Sequence, residues 1–588
     1  MATGAALLER KGLTRVVSAR TWPFAAGFAA AVLVAWRYAE IHPGLLLHRA
    51  TYTAIVQFLI GSLPPDLSIG FLRIVAEAAV LTVATAIAST TISILLAVPL
   101  GMLACSSLWR TGLVATSRGE GVLFRSLSFL SVTTRSVLGF LRAVPDLVWA
   151  LLFVAALGLG PLAGTLALAV SYTGVLGRVY ADVFDAVDAR PLEALLSTGA
   201  GRVQIFLTAI WPQALPNLTA YTLYSFECCV RAAAVLGFVG AGGIGYEISL
   251  SMRLFDYRQV STLLLAFVVI LSLTDLASRR LRRFLSRGLS NPALSVEAMR
   301  SLEVPELPRT RAARSVPRNV PFWSVLVVVV SAIVASFYFS GFVGVFEEAS
   351  QTPWELLHFA ARLLPPDLSF SFVQSLWLPL IQTLAISLLG TLLGVLLGAP
   401  LSLAATSRLV FVASEGPERR RMISSAARHA LYWGARLLLS VLRSIPELVW
   451  ALICIVAIGI GPFAGTIALG LHTTGVLGKL YADTMEEVAM QPVEALRALG
   501  ARPLQLLLWA IWPQTRRLLG SYTVLRWDMN LRAATILGLV GGGGLGQVMY
   551  NDVQLGFYSR VATLILFLYA LVMATDWAGT RIWSALPE

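Results

Sequence analysis

Four charged positions in this chain lie inside apolar runs, where charge is expensive. Glu227 and Arg231, and again Asp528 and Arg532, stand four residues apart. On a helix that spacing puts acid and base on one face, so each pair is expected to neutralise itself. An ionisable group inside a membrane span is a functional candidate by default. One expectation is therefore that these pairs flank a translocation pathway near its gate. The competing reading is a buried pair that only holds its helix. Arg142 and Arg443 precede Pro145 and Pro446, with Asp146 and Glu447 beside them. Their expected place is the inner mouth of the pathway, with snorkelling to the interface as the plain alternative. No paired-carboxylate, Ser/His/Asp or metal-ligand cluster occurs at usable spacing, so catalysis and a metal site are not expected in this chain. GAGGIG at Gly240 matches GxGxxG through Gly240, Gly242 and Gly245, but it follows an apolar helix rather than a strand and reads as a helix break. GKL at Gly478 to Leu480 lacks the flanks of a phosphate-binding loop, and His472, at the position of Ser171 in the other half, reads as a hydrogen-bonded helix residue.

The setting of these residues follows from composition. Of 588 residues 57% are apolar and 13% charged, about half the charged share of an ordinary soluble domain. Repeated uncharged runs of about 20 residues are long enough to cross a bilayer, which makes this an all-α polytopic membrane protein. Forty-five Lys and Arg against 32 Asp and Glu give +13. In a membrane protein that surplus marks cytoplasmic helix ends, so membrane lipid is an expected partner and nucleic acid is not. The run Trp22 to Tyr38 follows Arg10, Lys11, Arg15 and Arg20 without a clear cleavage site and reads as a retained first span. Cys105, Cys228, Cys229 and Cys454 show no CxxC pairing, so neither a disulfide framework nor a metal knuckle is indicated.

The chain is an internal repeat with a fixed register of 301 residues. LPPDLS recurs at Leu63 and Leu364, RAVPDLVWAL at Arg142 as RSIPELVWAL at Arg443, GPLAGTLAL at Gly160 as GPFAGTIAL at Gly461, and IWPQ at Ile210 and Ile511. The same offset joins GAGGIG at Gly240 to GGGGLG at Gly541 and Asp275 to Asp576. Residues 1–278 form a first half, 322–588 a second, and 279–321 a basic, Pro-rich linker expected in the cytoplasm. Basic clusters at Arg110, Arg118 and Arg125, and at Arg408, Arg419, Arg420, Arg421, Arg428 and Arg436, are expected on that side. The stretches 39–70 and 341–371, with Glu40, Asp66, Glu347, Glu348, Glu355 and Asp367, suit the outer face and are expected to lie along the membrane. Six spans per half, about twelve in all, keep both termini cytoplasmic and make the halves parallel. In the first half the expected spans are 22–38, 78–104, two short spans between Asp146 and Arg178 broken at Gly158, Gly160 and Pro161, then 212–238 and 260–276.

RPLEALLSTGAGR, Arg190 to Arg202, is matched by QPVEALRALGARP, Gln491 to Pro503. Pro191 or Pro492 can occupy the first helical position, Glu193 or Glu494 the first turn, and Gly199 or Gly500 a left-handed stop. The spacing Glu-Ala-x-x-x-x-Gly, with Pro212 or Pro513 thirteen residues after the glycine, resembles the EAA loop of ABC importer permeases. Together with RAVPDLVWALLFVAALGLGPLAGTLAL, TGVLGRVYAD and YTLYSFECCVRAAAVLGFVGAGGIG it is similar to the permease of phosphonate-type ABC importers, over almost the whole chain and twice.

That resemblance implies two fused six-helix repeats of the type I, MetI-like permease fold. Glu193, Ala194, Gly199, Glu494, Ala495 and Gly500 would form two coupling helices, each docking a cytoplasmic ATPase. ATP and magnesium would reside on those two partner subunits, with no cofactor in this chain. One periplasmic or lipid-anchored substrate-binding protein would deliver a phosphonate or phosphite across a bacterial inner membrane, and the arginines would suit that anion. Departures from the family pattern are Leu195 and Leu496 at the second alanine, and Trp211 and Trp512 where the family has leucine before proline; these bulky side chains are expected to bear on the docking surface. Alternatives are an importer of phosphate, an amino acid or another small solute, or a six-plus-six secondary transporter.

Overall fold

In the computed structural model the described residues are 22–110, 120–288, 322–342, 352–410 and 418–585. The basic residues before Trp22, Arg118, the linker beyond Gly288, Glu347 and Glu348 lie outside them, as do the side chains of Arg110, Arg125, Glu355 and Arg419 to Arg421. Among the described residues every regular element is helical. The first repeat contains α1 (Trp22–Tyr38), α2 (Ile69–Ala104), α3 (Glu120–Ala143), α4 (Asp146–Leu157), α5 (Pro161–Asp185), α6 (Ala189–Ser197), α7 (Trp211–Leu236), α8 (Gly243–Arg253) and α9 (Tyr257–Gly288). The second contains α10 (Phe322–Phe339), α11 (Trp377–Ala404), α12 (Glu418–Ser444), α13 (Glu447–Ile458), α14 (Pro462–Glu486), α15 (Met490–Ala498), α16 (Trp512–Gly538), α17 (Gly544–Gln554) and α18 (Tyr558–Ala585). The 301-residue register thus holds helix for helix. Short helices Pro43–Leu46, Arg49–Gly61 and Thr352–Leu363 occupy the stretches expected along the membrane.

Six of these helices are long and apolar enough to cross a bilayer, or up to eight if each of two bent pairs is one span. The sequence-based count of twelve is higher for identifiable reasons. Of α1 and α10, only Ala26–Tyr38 and Leu326–Phe339 have described side chains, and α14 carries His472, Lys479, Asp483 and Glu486. Helix α16 carries Arg516, Arg517, Arg526, Asp528 and Arg532, whereas α7 carries only Glu227 and Arg231. The break at Gly158 and Gly160 falls where expected, both glycines having positive φ. The helical structure ahead of it does not begin at Asp146, however: α3 meets α4 at 85° and α12 meets α13 at 93°. Each bend sits at Pro145 or Pro446, because a proline pushes the preceding residue out of helical geometry.

Small residues set the closest packing. In α2 and α5, a Cβ on Gly101 would stand 3.0 Å from Cβ of Tyr180, and the Ser89 and Ser93 hydroxyls donate to the Thr165 and Ala169 carbonyls, each at 3.0 Å. In α11 and α14, a Cβ on Gly394 would stand 2.4 Å from Cγ2 of Thr473. Without a hydrophobic drive between helices in lipid, such close approach and interhelical hydrogen bonding are what hold them together. The Gly240 segment is a helix break, as expected: Gly240, Gly242 and Gly243 all have positive φ, and the backbone N–H of Ile244 donates to the Thr82 hydroxyl at 3.0 Å.

The chain divides into two compact units that interleave the repeats. One comprises 1–55, 367–552 and 572–588, the other 56–366 and 553–571. Within the first, Ala35 of α1 and Ala39 just after it are buried against Ala385 and Leu389 of α11. Within the second, α10 packs on α2. Each repeat's first helix therefore covers the second helix of the other repeat.

Candidate coupling helices and charged pathway residues

Helices α6 and α15 are short surface helices anchored from one side. Leu192 is 2% exposed and Val493 3% exposed, while Glu193, Ala194, Glu494 and Ala495 are exposed. Glu193 and Glu494 make no hydrogen bond or ion pair among the described residues. Gly199 (φ 80°) and Gly500 (φ 78°) supply the left-handed stops. The helix starts differ from expectation. They fall at Ala189 and Met490, so Pro191 and Pro492 occupy the third position and Glu193 and Glu494 lie beyond the first turn. Proline is tolerated there because the first helical N–H groups have no internal partner.

Asp188 explains the earlier start of α6. Its carboxylate accepts the Arg190 N–H at 3.1 Å and its guanidinium Nε at 3.0 Å. The Arg190 hydrogen bonds and charge hold the Asp188 carboxyl below the ordinary carboxylate range. In α15 that position is Ala489, whose side chain cannot cap; its backbone N–H donates instead to Gln514 Oε1 at 3.1 Å. Leu195 and Leu496 turn inward and pack on the same clusters as Leu192 and Val493, so they leave the outer face of each helix to Glu and Ala. Trp211 packs against Phe184 and Phe206, but Trp512 is exposed. Beside α15, an open groove of about 470 Å³ is lined by Leu499, Gly500, Ala501, Arg502, Gln505 and Trp509 among others. Ahead of Pro212 and Pro513 the chain winds more widely, over Phe206–Ile210 and Leu507–Ile511, which absorbs a proline that can neither donate nor fit a tight turn.

A charged clamp missed by the sequence reading fixes the ends of α5 and α14 just before these helices. Arg135 of α3 reaches Asp185 at 2.6 Å and Asp182 at 3.2 Å, and its Nε donates to the Ala104 carbonyl at 2.8 Å. Arg436 of α12 repeats it with Glu486 at 2.7 Å, Asp483 at 3.5 Å and the Ala405 carbonyl at 3.1 Å. In the first repeat Ser131 also donates to Ala104 O at 3.1 Å; in the second, the equivalent Tyr432 lies under the Arg436 guanidinium, 5.1 Å from ring centre. The signal was available, since arginine and both acids recur 301 residues apart.

The two intrahelical pairs turn out unequal. Arg532 binds Asp528 at 2.5 Å as expected, and Asp528 also accepts the Thr575 hydroxyl of α18 at 3.3 Å. Glu227 instead faces Arg282 of α9 at 3.8 Å, and Arg231 is exposed with no ion pair among the described residues. The correction has a simple cause: position 282 is arginine but its repeat equivalent is Trp583, so at that register the last helix offers a cation to Glu227 and none to Asp528. Arg142 and Arg443 occupy the final turns of α3 and α12, at the bends rather than at the start of a span. There the backbone of Arg142 presses on Gly174, and that of Arg443 on Gly475. His472 is hydrogen-bonded as expected, Nδ1 to the Ile445 carbonyl at 3.0 Å, and in addition its Nε2 lies 3.6 Å from Glu447. Gly478 to Leu480 lie within the continuous helix α14, not in a phosphate-binding loop.

Comparison with known proteins agrees with this layout. The family of binding-protein-dependent transport system inner membrane components matches residues 111–291 and again 422–583. The phosphate-import permease protein PhnE of Mycolicibacterium smegmatis is 31% identical over 568 residues, 94% of this chain and 93% of that one. The phosphite transport system permease protein PtxC of Stutzerimonas stutzeri is 38% identical over 218 residues, 37% of this chain and 72% of that one. The putative cryptic phosphonate transport system permease protein PhnE2 of Escherichia coli is 40% identical over 118 residues, 20% of this chain and 97% of that one. This chain belongs to the family of inner membrane components of binding-protein-dependent transport systems, and it carries that membrane domain twice in one polypeptide.

Proposed function

We propose that the chain is the permease subunit of an ATP-driven importer and forms the pathway for a small tetrahedral phosphorus oxyanion of the phosphonate or phosphite type. One external binding protein delivers the anion, and two ATPase subunits, which hold ATP and magnesium and perform hydrolysis, dock on α6 and α15. The chain itself then sits in a bacterial inner membrane with both termini in the cytoplasm and performs no chemistry. The observation that carries this reading is the pair of anchored surface helices, one per repeat, each presenting outward an alanine and a glutamate that is unpaired among the described residues. A carrier driven by an ion gradient has no need of such helices. The names of the relatives divide among phosphate, phosphite and phosphonate, which share a tetrahedral phosphorus and one to two negative charges. In this reading Arg231, Arg532, Arg142 and Arg443 serve the pathway, while Glu227 and Asp528 tie α7 and α16 to the last helix of their own repeat.

Copurification tests it. An ATPase subunit should remain bound to detergent-solubilised wild-type chain and be lost from the Glu193→Arg/Glu494→Arg variant. Retention by that variant, or uptake of the anion by vesicles that lack any ATPase, would overturn the reading.

A further inference from the structure

The two repeats share a register but not a polarity. Where the first has Ser171, Ser225, Phe226 and Cys229, the second has His472, Arg526, Trp527 and Asn530. Arg526 lies near the middle of α16 and is partly exposed. Its Nε is buried without a hydrogen-bond partner, as is the indole nitrogen of Trp527. No hydrogen bond or ion pair to the Arg526 guanidinium exists among the described residues. The acid whose charge reaches Arg526 is Glu447 at the start of α13, which in turn faces His472 at 3.6 Å. One turn beyond Arg526, the fully buried Asn530 donates to the Thr391 and Thr473 hydroxyls at 2.8 and 3.0 Å and so fixes this face of α16.

A guanidinium presents five donors in a planar fork that fits phosphorus oxyanions two oxygens at a time. Leaving the buried Nε donor unmet is costly, and the rest of the fork is open to an incoming anion. The geometry points to an oxyanion-binding step built on Arg526 in the second repeat alone, with His472 and Glu447 beside it, for the tetrahedral phosphorus anion that the importer reading names and on which this assignment rests. Glu447 opposes tight retention. A site on a conduction pathway must hold its ion strongly enough to admit it and weakly enough to release it. The first repeat, with Ser225 at the equivalent position, contributes no such step.

The test uses the complete importer, ATPases and binding protein included, in vesicles, with radiolabelled inorganic phosphate, phosphite and methylphosphonate as probes. Arg526→Ser installs the residue that the first repeat already carries in register. Uptake of the transported anion should fall by at least about tenfold, the scale of one charge-assisted hydrogen bond, while assembly and the ATP hydrolysis stimulated by loaded binding protein persist. If Arg526 merely neutralises Glu447, Arg526→Ser/Glu447→Gln will recover uptake, and the assignment is overturned; it is expected to stay low. Full uptake by Arg526→Ser overturns it as well. Should that variant not assemble, Arg526→Lys keeps the charge without the fork and should raise the half-saturating anion concentration; an unchanged value counts against the site. Wild-type complex whose ATP hydrolysis ignores loaded binding protein would instead sink the importer reading itself.

Discussion

Replacing Arg135 with glutamine isolates what the clamp does. One guanidinium bridges three elements: Asp182 and Asp185 on α5, and the last carbonyl of α2 at Ala104. Glutamine removes the charge and most of the fork. At an effective dielectric of 20, a unit charge pair at 4 Å is worth about 4 kcal/mol gross, but these side chains are 21% to 37% exposed, so water replaces much of that. Asp185 also keeps other donors, the Ser106 hydroxyl at 2.8 Å and the Ser107 N–H at 2.7 Å, and Asp182 keeps Arg178 at 3.5 Å. The net loss is then about that of one hydrogen bond to a charged group, roughly 1.5–3 kcal/mol, too little to unfold the chain. Acting between the end of α5 at Asp185 and the proposed coupling helix that begins at Ala189, it is enough to weaken the proposed transmission by about tenfold or more. Arg135→Gln should therefore assemble normally yet show a much smaller stimulation of ATP hydrolysis by loaded binding protein, with Arg135→Lys in between because an ammonium cannot serve all three acceptors in the same geometry. If Arg135→Gln is stimulated as strongly as wild type, or if lysine and glutamine behave alike, the clamp does not transmit.

Gly174→Ala would place a Cβ 2.6 Å from the backbone nitrogen of Arg142, and Gly475→Ala one 2.4 Å from that of Arg443; because backbone must move, each should cost about 1–3 kcal/mol, read as a lower melting temperature in detergent, whereas Gly139→Ala meets open space and should not. The Asp188 carboxyl is held below its ordinary range, so its cap is fully present above the unfolded carboxylate value of about 3.9 and is lost as pH falls through the lower folded one. Hydrogen-exchange protection at the start of α6 should be flat from about pH 5 to 8 and fall in stronger acid, with Asp188→Ala abolishing that acid step; α15, with the non-capping Ala489 at that position, should show none, and equal behaviour of the two helices would contradict the cap.

The repeat register, the left-handed stops at Gly199 and Gly500, and the break at Gly240 were legible because each is a local requirement that a residue type states outright. The start of α6 was not, since Pro191 is compatible with the first or third helical position and only the carboxylate of Asp188 decides between them. The partner of Glu227 was hidden for a different reason. An i,i+4 spacing makes a pair possible, but a cation on another helix competes for it, and whether Arg282 comes within reach is a matter of packing. The basic stretch before Arg142 read as cytoplasmic loop, and its residues from Glu120 onward form α3, whose serines, threonines and arginines dilute the apolar signal. The interleaving of α1 and α10 left no mark in the sequence: two helices that fit either of two equivalent surfaces carry the same pattern whichever they choose.

That exchange of first helices sets a clock on biosynthesis. Tyr38 at the end of α1 and Trp377 at the start of α11 are 339 positions apart, which at 5–20 residues per second is roughly 20 to 70 s of translation. During that interval Ala35 and Ala39 lack the Ala385 and Leu389 against which they are buried in the finished chain. In the finished arrangement each compact unit includes a first helix from the other repeat, so cutting the message at the linker would yield two products that each carry the first helix the other unit uses.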